Sequence, residues 1–230
     1  MHWRQESVYA AARRAQKFLD ENASVLGPET KGPQRKDLNR AVGGFMASAA
    51  EQSLAQTQRR GRTKDKNKLR KALFDDHLRP IAHIARKRLG DTKEIFNMRV
   101  PGKRTSDTML VMKARAMAKG AGGHRRVFLG QQMPLDFVEH CREAAQEFYD
   151  AVGAREMAVA RLVKSTEDIA SHTARIRDAM RVINTSVVKY LHKKHVELLG
   201  QWNQARRYGQ KPGPKQVKAR KGEAKKKAGG

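Results

Sequence analysis

The sequence predicts a mainly α protein: an elongated helical bundle around one coiled-coil-like helix of about 60 residues, with a disordered basic C-terminal tail. Three observations predict it. Alanine, the best helix former, supplies 30 of 230 residues. Proline is absent from residues 135–211. Within that stretch, apolar residues recur at alternating spacings of three and four, the pattern of a helix that packs along one seam.

Taken in order, the first helix is expected over residues 3–22, where Val8, Ala11, Ala12, Ala15, Phe18 and Leu19 share one stripe. Gly27, Pro28, Gly32 and Pro33 interrupt the chain. A second helix is expected over 37–60, capped by Asp37 and faced by Leu38, Val42, Phe45 and Ala49. Gly43-Gly44 inside it either weakens the helix or admits a close neighbour. A basic link opens at Gly61. A third helix follows over 66–89, with a kink or a new start at Pro80, whose missing N–H removes a helical bond. Residues 90–104 read as irregular. Ser106 caps a short helix over 106–119, ended by Gly120, Gly122 and Gly123. Val127-Phe128-Leu129 is a short apolar patch, either a brief helix or a tucked loop.

The long helix is expected over 134–195, with Pro134 at its start. Its seam steps through Val138, Cys141, Ala145, Phe148, Val152, Arg155, Val159, Leu162, Thr166, Ile169, Thr173, Ile176, Met180, Ile183, Val187 and Tyr190. Only Arg155, Thr166 and Thr173 are polar among them. Acids gather early in this helix and bases late, which complements its dipole. A break at Ser165-Thr166 is the alternative, since both residues can cap; the unslipped seam and the absence of Gly and Pro there favour continuity. About 60 helical residues span roughly 90 Å. The earlier helices suffice to cover it in cis, so one domain over residues 1–205 is expected, and dimerisation along the seam is not required.

Composition narrows the function classes. Net charge is +26, with pI about 10.7. Leu, Ile, Val and Phe together number 43, few for a chain this long, so the core is modest and alanine-rich. Cys141 is the only cysteine, which excludes an internal disulfide. The N-terminus carries no secretory-type apolar stretch, and no apolar run is long enough for a membrane span. A cytoplasmic location is expected.

The charge avoids the long helix and concentrates elsewhere. Arg59, Arg60, Arg62, Lys64, Lys66, Lys68, Arg70 and Lys71 form one cluster, opposed only by Asp65. Lys211, Lys215, Lys218, Arg220, Lys221, Lys225, Lys226 and Lys227 form a second, in a tail of Pro, Gly, Ala and Gln that cannot build a core. Clustered bases at this pI point to phosphate backbones, duplex DNA or structured RNA, contacted with little sequence preference. Few aromatics accompany them, which speaks against single-strand stacking. A solvated surface and a solubilising tail is the bland reading of the same residues. The alternative function is a scaffold whose seam pairs with a second copy or another helical protein.

No constellation supports catalysis, a small-molecule substrate, a cofactor or a metal. His192 and His195 lack a third ligand and flank Lys193-Lys194. His140, Cys141 and Glu143 crowd one turn, but Cys141 falls on the seam and reads as core. Glu139, Glu143 and Glu147 line one face without the Glu-x-x-His of a carboxylate-bridged site. The segment from Gly120 to Arg126 is glycine-rich and basic but lacks the Gly-Lys-Ser/Thr ending of a phosphate loop.

Overall fold

A computed structural model describes residues 2–27, 31–90, 95 and 98–209. The described residues are mainly helical, with no strand among them: α1 (Trp3–Glu21), α2 (Ala23–Leu26), α3 (Pro33–Ala72), a π-helical segment (Leu73–Leu78), α4 (Arg79–Arg88), α5 (Asp107–Gly123), α6 (Arg125–Leu129), α7 (Phe137–Lys194) and α8 (Val196–Ala205). Among the described residues no helix is long and apolar enough to cross a membrane. The tail cluster from Lys211 to Lys227 lies outside the described residues.

The long helix is present as one element of 58 residues, unbroken at Ser165-Thr166. Its buried stripe follows the expected seam through Cys141, Ala145 and Phe148, and again through Ile169, Thr173, Ile176, Met180, Ile183 and Val187. Between these runs Ala158 and Ser165 are buried, one residue ahead of the expected Val159 and Thr166, and Thr166 is exposed. Leu191 takes the place of Tyr190 at the end. Thr173 is tolerated on the stripe because its hydroxyl donates to the Ile169 carbonyl at 2.7 Å.

Other expectations need correction. The basic link at Gly61 is helix: α3 runs without a break through residues 61–65. One glycine costs about 1 kcal/mol, and the Ala, Gln, Lys and Arg around it are strong helix formers. The Thr63 hydroxyl donates back to Arg59 O at 2.7 Å. This helix begins at Pro33, a favoured first-turn residue, so Asp37 lies inside it and pairs with Arg40 at 3.6 Å. Before Pro80 the chain widens into the π-helical segment, where Arg79 N–H reaches back to Phe74 O. The wider turn makes room for the proline ring, and α4 starts at Arg79. Ser106 does cap α5, accepting from Met109 N at 3.4 Å. That helix passes through its glycines to Gly123 instead of ending at Lys119; a Cβ added at Gly120 would meet the Met98 side chain at 3.4 Å and one at Gly122 would meet Val138 at 3.8 Å, both ordinary contact distances.

The helices group into two compact units. The first takes Met1–Gln52 and Val163–Gly230. Its core joins Phe18, Leu19, Leu38, Phe45, Ile176, Met180, Ile183 and Trp202, all buried. Trp202 belongs to α8, a helix not expected from the sequence; its indole N–H donates to Asn184 Oδ1 at 3.0 Å. The Arg14 guanidinium reaches Ala205 O at 3.3 Å and Arg207 O at 2.6 Å, satisfying carbonyls at the end of α8. Tyr190 donates to Val25 O at 2.7 Å and ties down α2.

Within this unit the two glycines of α3 differ. A Cβ on Gly44 would meet His172 Cε1 at 2.3 Å, whereas one on Gly43 would meet nothing within 4 Å. The close-neighbour reading therefore holds for Gly44 alone. His172 Nδ1 is buried without a hydrogen-bond partner, so the ring is held by packing against that bare backbone. We predict opposite signs for two neighbouring substitutions: Gly43→Ala stabilises by about 0.5–1 kcal/mol through helix propensity. Gly44→Ala destabilises by about 1 kcal/mol, because overpacking outweighs the same propensity gain. Urea midpoints of the two variants check this; equal shifts in one direction would remove the His172 contact as the cause.

The second unit takes Ser53–Leu162. Leu73, Leu78, Ile81, Leu110, Met117, Phe128, Phe137, Cys141 and Phe148 are its buried centre. Phe128 lies in α6, so the short apolar patch is a helix, and its ring stacks on Phe137 at 5.3 Å.

Candidate polyanion-binding surface

The basic cluster of residues 59–71 sits entirely on α3, inside the second unit. A helix turns 100° per residue, so eight bases in this span cannot share one face. The structure sorts them by exposure. Arg60, Arg62, Lys64, Lys68 and Lys71 are exposed, while Arg59, Lys66 and Arg70 are half-buried.

The half-buried residues include two that are engaged inside the protein. Lys66 Nζ lies 2.5 Å from Asp107 Oδ2, and Arg70 Nη1 lies 2.5 Å from Asp107 Oδ1. Arg70 Nη2 also donates to Thr105 O at 2.6 Å and Lys103 O at 3.3 Å. Its guanidinium covers the Phe74 ring at 5.6 Å. Together they hold the entry to α5 against α3. Burial alone would push the Asp107 carboxyl up, but the Lys66 hydrogen bond and the Lys66 and Arg70 charges outweigh it and leave its pKa below the ordinary value. Lys66 and Arg70 are thus structural cations.

Four of the exposed bases form a stripe. Arg60, Lys64, Lys68 and Lys71 follow one another at spacings of four, four and three, so they occupy one helix face over about 16 Å. None of the four forms an ion pair among the described residues. Asp65 falls on a different face, about 140° around the helix from Arg60. No aromatic residue lies on the stripe. Arg62 is exposed on roughly the opposite face of the helix, about 160° from Arg60 and Lys64.

A second basic feature of this unit escaped the sequence reading. Arg79, His83 and Arg86 of α4 and Arg99 line a cavity of about 720 Å³, with Ile95 and Met98 beside them. The spacing of Arg79, His83 and Arg86, four then three, was the signal for it. Arg79 is engaged with Asp75 at 2.5 Å.

The remaining candidates take structural places. Cys141 is fully buried, and burial pushes its thiol up to about 11 from an ordinary 9.0. His140, its chain neighbour, is exposed and lies 3.2 Å from Asp136, directed away from the buried thiol. With two pKa units between native and ordinary thiol, alkylation at pH 8 is expected to run about 100-fold slower in native protein than in urea, from thiolate fraction alone. Equal rates, measured by mass spectrometry, would place Cys141 outside the core. His192 and His195 part company where α7 ends at Lys194, and His195 Nδ1 sits 3.3 Å from Glu197. Glu139, Glu143 and Glu147 are exposed, with Glu139 3.7 Å from Arg125. Among the described residues no three metal-ligating side chains converge.

No family model, curated protein or solved structure matches this chain.

Proposed function

We propose that the protein binds phosphate backbones of duplex nucleic acid, DNA or structured RNA, without catalysis and with little sequence preference. The observation that carries this reading is the stripe of Arg60, Lys64, Lys68 and Lys71: four exposed cations on one face of a long helix, with no internal carboxylate paired to them. A row of this kind neutralises phosphates and releases counterions, a term that is blind to base identity. The absence of aromatics on that face favours a duplex over a single strand. The surrounding unit has 24 Lys/Arg against 12 Asp/Glu, which adds a long-range attractive field. The tail lysines and Arg220 would add to it. A nucleic-acid partner goes with a cytoplasmic location.

Scaffolding through the apolar seam has less support. Most of the seam residues of α7, from Val138 to Val152 and from Ile169 to Tyr190, pack into the cores of the two units, which leaves less of that face for another helix.

The test is fluorescence anisotropy with two 30-base-pair duplexes of unrelated sequence, at several salt concentrations. Expected is similar affinity for both and a steep fall with salt. Undetectable binding at low salt, or affinity indifferent to salt, would dismiss the proposal.

A further inference from the structure

Within the second unit α3 passes into α4 through the π-helical segment, and that segment changes which bases of α4 share a face with the stripe. The Arg79 N–H reaches Phe74 O, five residues back. A wide turn of this kind inserts about one residue into an α-helix and sets everything after it back by about 100°. Burial records the same slip. With angles counted from Arg60, Leu73 is buried at about 220°. Unbroken α-helical counting would put the buried Leu78, Ile81 and Ala85 at about 0°, 300° and 340°. One inserted residue puts them at about 260°, 200° and 240°, on the Leu73 side.

The same insertion carries bases of α4 onto the stripe. Arg60, Lys64, Lys68 and Lys71 lie at about 0°, 40°, 80° and 20°. Arg79, His83, Arg86 and Lys87, all exposed, then lie at about 0°, 40°, 340° and 80°. Arg79 is spent on Asp75, which falls on this face, so that pair makes a neutral middle. His83, Arg86 and Lys87 form no ion pair among the described residues. Two of them, His83 and Arg86, also line the cavity shared with Arg99, a recess wide enough for a phosphate group. Arg88, the next residue, falls at about 180° and donates to Gln131 Oε1 at 3.0 Å.

We propose that the phosphate-binding face continues past the π-helical segment, and that His83, Arg86 and Lys87 make a second contact with the same duplex. This rests on the nucleic-acid reading above. From Arg60 to Lys87 the face extends about 40 Å along the helix, more than one turn of duplex at about 34 Å. The π turn is what joins the two patches: without it Lys87 would stand about 180° from Arg60.

Three neighbouring substitutions in the full-length protein test this, each removing one charge: Arg86→Gln, Lys87→Gln and Arg88→Gln. The readout is anisotropy with a 30-base-pair duplex across a salt series. Arg86→Gln and Lys87→Gln are each expected to weaken binding and lower the salt slope by about 0.9, one phosphate contact apiece. Arg88→Gln, on the far side of the helix, leaves the slope unchanged. Both α4 sites are exposed, so thermal unfolding of Arg86→Gln and Lys87→Gln stays at the parent's midpoint. A parent that binds duplex with a steep slope, with Arg86→Gln and Lys87→Gln indistinguishable from it, overturns this inference alone. An equal loss at Arg88→Gln overturns it too, since only net charge would then matter. A parent that fails to bind duplex overturns it together with the reading it rests on.

Discussion

Trp202→Ala is expected to destabilise the protein by about 3–5 kcal/mol, the range for removing a fully buried large aromatic. Trp202 is wholly buried, though it belongs to a helix of only ten residues that ends where the described chain nearly does. A helix this short does not persist on its own propensity, so packing must hold it. The indole supplies that packing: its ring lies 5.4 Å from Phe18, and its N–H satisfies Asn184 at 3.0 Å. Alanine leaves a cavity and an orphaned Asn184 carbonyl on α7, and both costs fall on the first unit's core. Trp202→Phe keeps most of the ring and loses the hydrogen bond, so it should cost about 1–3 kcal/mol. Urea unfolding followed by circular dichroism at 222 nm reads both. A loss below 1 kcal/mol for Trp202→Ala would mean that α8 is not part of that core.

The second large effect concerns function. Replacing Arg60, Lys64, Lys68 and Lys71 together by glutamine should reduce duplex affinity by about 100-fold or more at 0.1 M salt, and lower the salt slope by about 3.6. Each phosphate contact contributes about 0.9 to that slope, so four lost contacts account for it. Glutamine is a good helix former and all four sites are exposed, so helicity and unfolding midpoint should stay put. Lys66→Gln makes the informative contrast. Lys66 is engaged with Asp107 at 2.5 Å, so its loss should cost stability and leave the salt slope nearly unchanged. A quadruple variant that binds like the parent would detach the stripe from nucleic-acid binding.

Why some of this was legible in the sequence and some was not follows from the range of the interactions. The long helix was legible because its evidence is local and repeated: no proline, and an apolar residue every three or four positions. The one-residue advance at Ala158 and Ser165 was not, because small residues serve equally as core or surface until a neighbour covers them. Gly61 read as a link because glycine and charge together resemble a loop; the strong helix formers on both sides decide otherwise. Pro80 signalled a disturbance correctly, but whether a chain kinks or widens into a π turn depends on packing around Leu73 and Leu78, both buried. The short helix carrying Trp202 had a signal, Leu198, Leu199 and Trp202 at helical spacing, that Gly200 obscured.

The candidate surface shows the same division. Eight clustered bases were visible at once, and helical geometry already implies that they divide between faces. Which face is consumed was not visible, since the carboxylate that takes Lys66 and Arg70 lies 41 and 37 residues away. Only the fold brings Asp107 to them and leaves Arg60, Lys64, Lys68 and Lys71 outward.

The most direct test of the phosphate-binding stripe is lysine footprinting: brief acetylation of the full-length protein with and without a saturating duplex, read residue by residue by mass spectrometry. The stripe predicts strong protection at Lys64, Lys68 and Lys71, with Lys17 and Lys189, exposed lysines of the first unit, labelled as before. Unchanged labelling at Lys64, Lys68 and Lys71 when the duplex is bound, with protection elsewhere or everywhere alike, would contradict it.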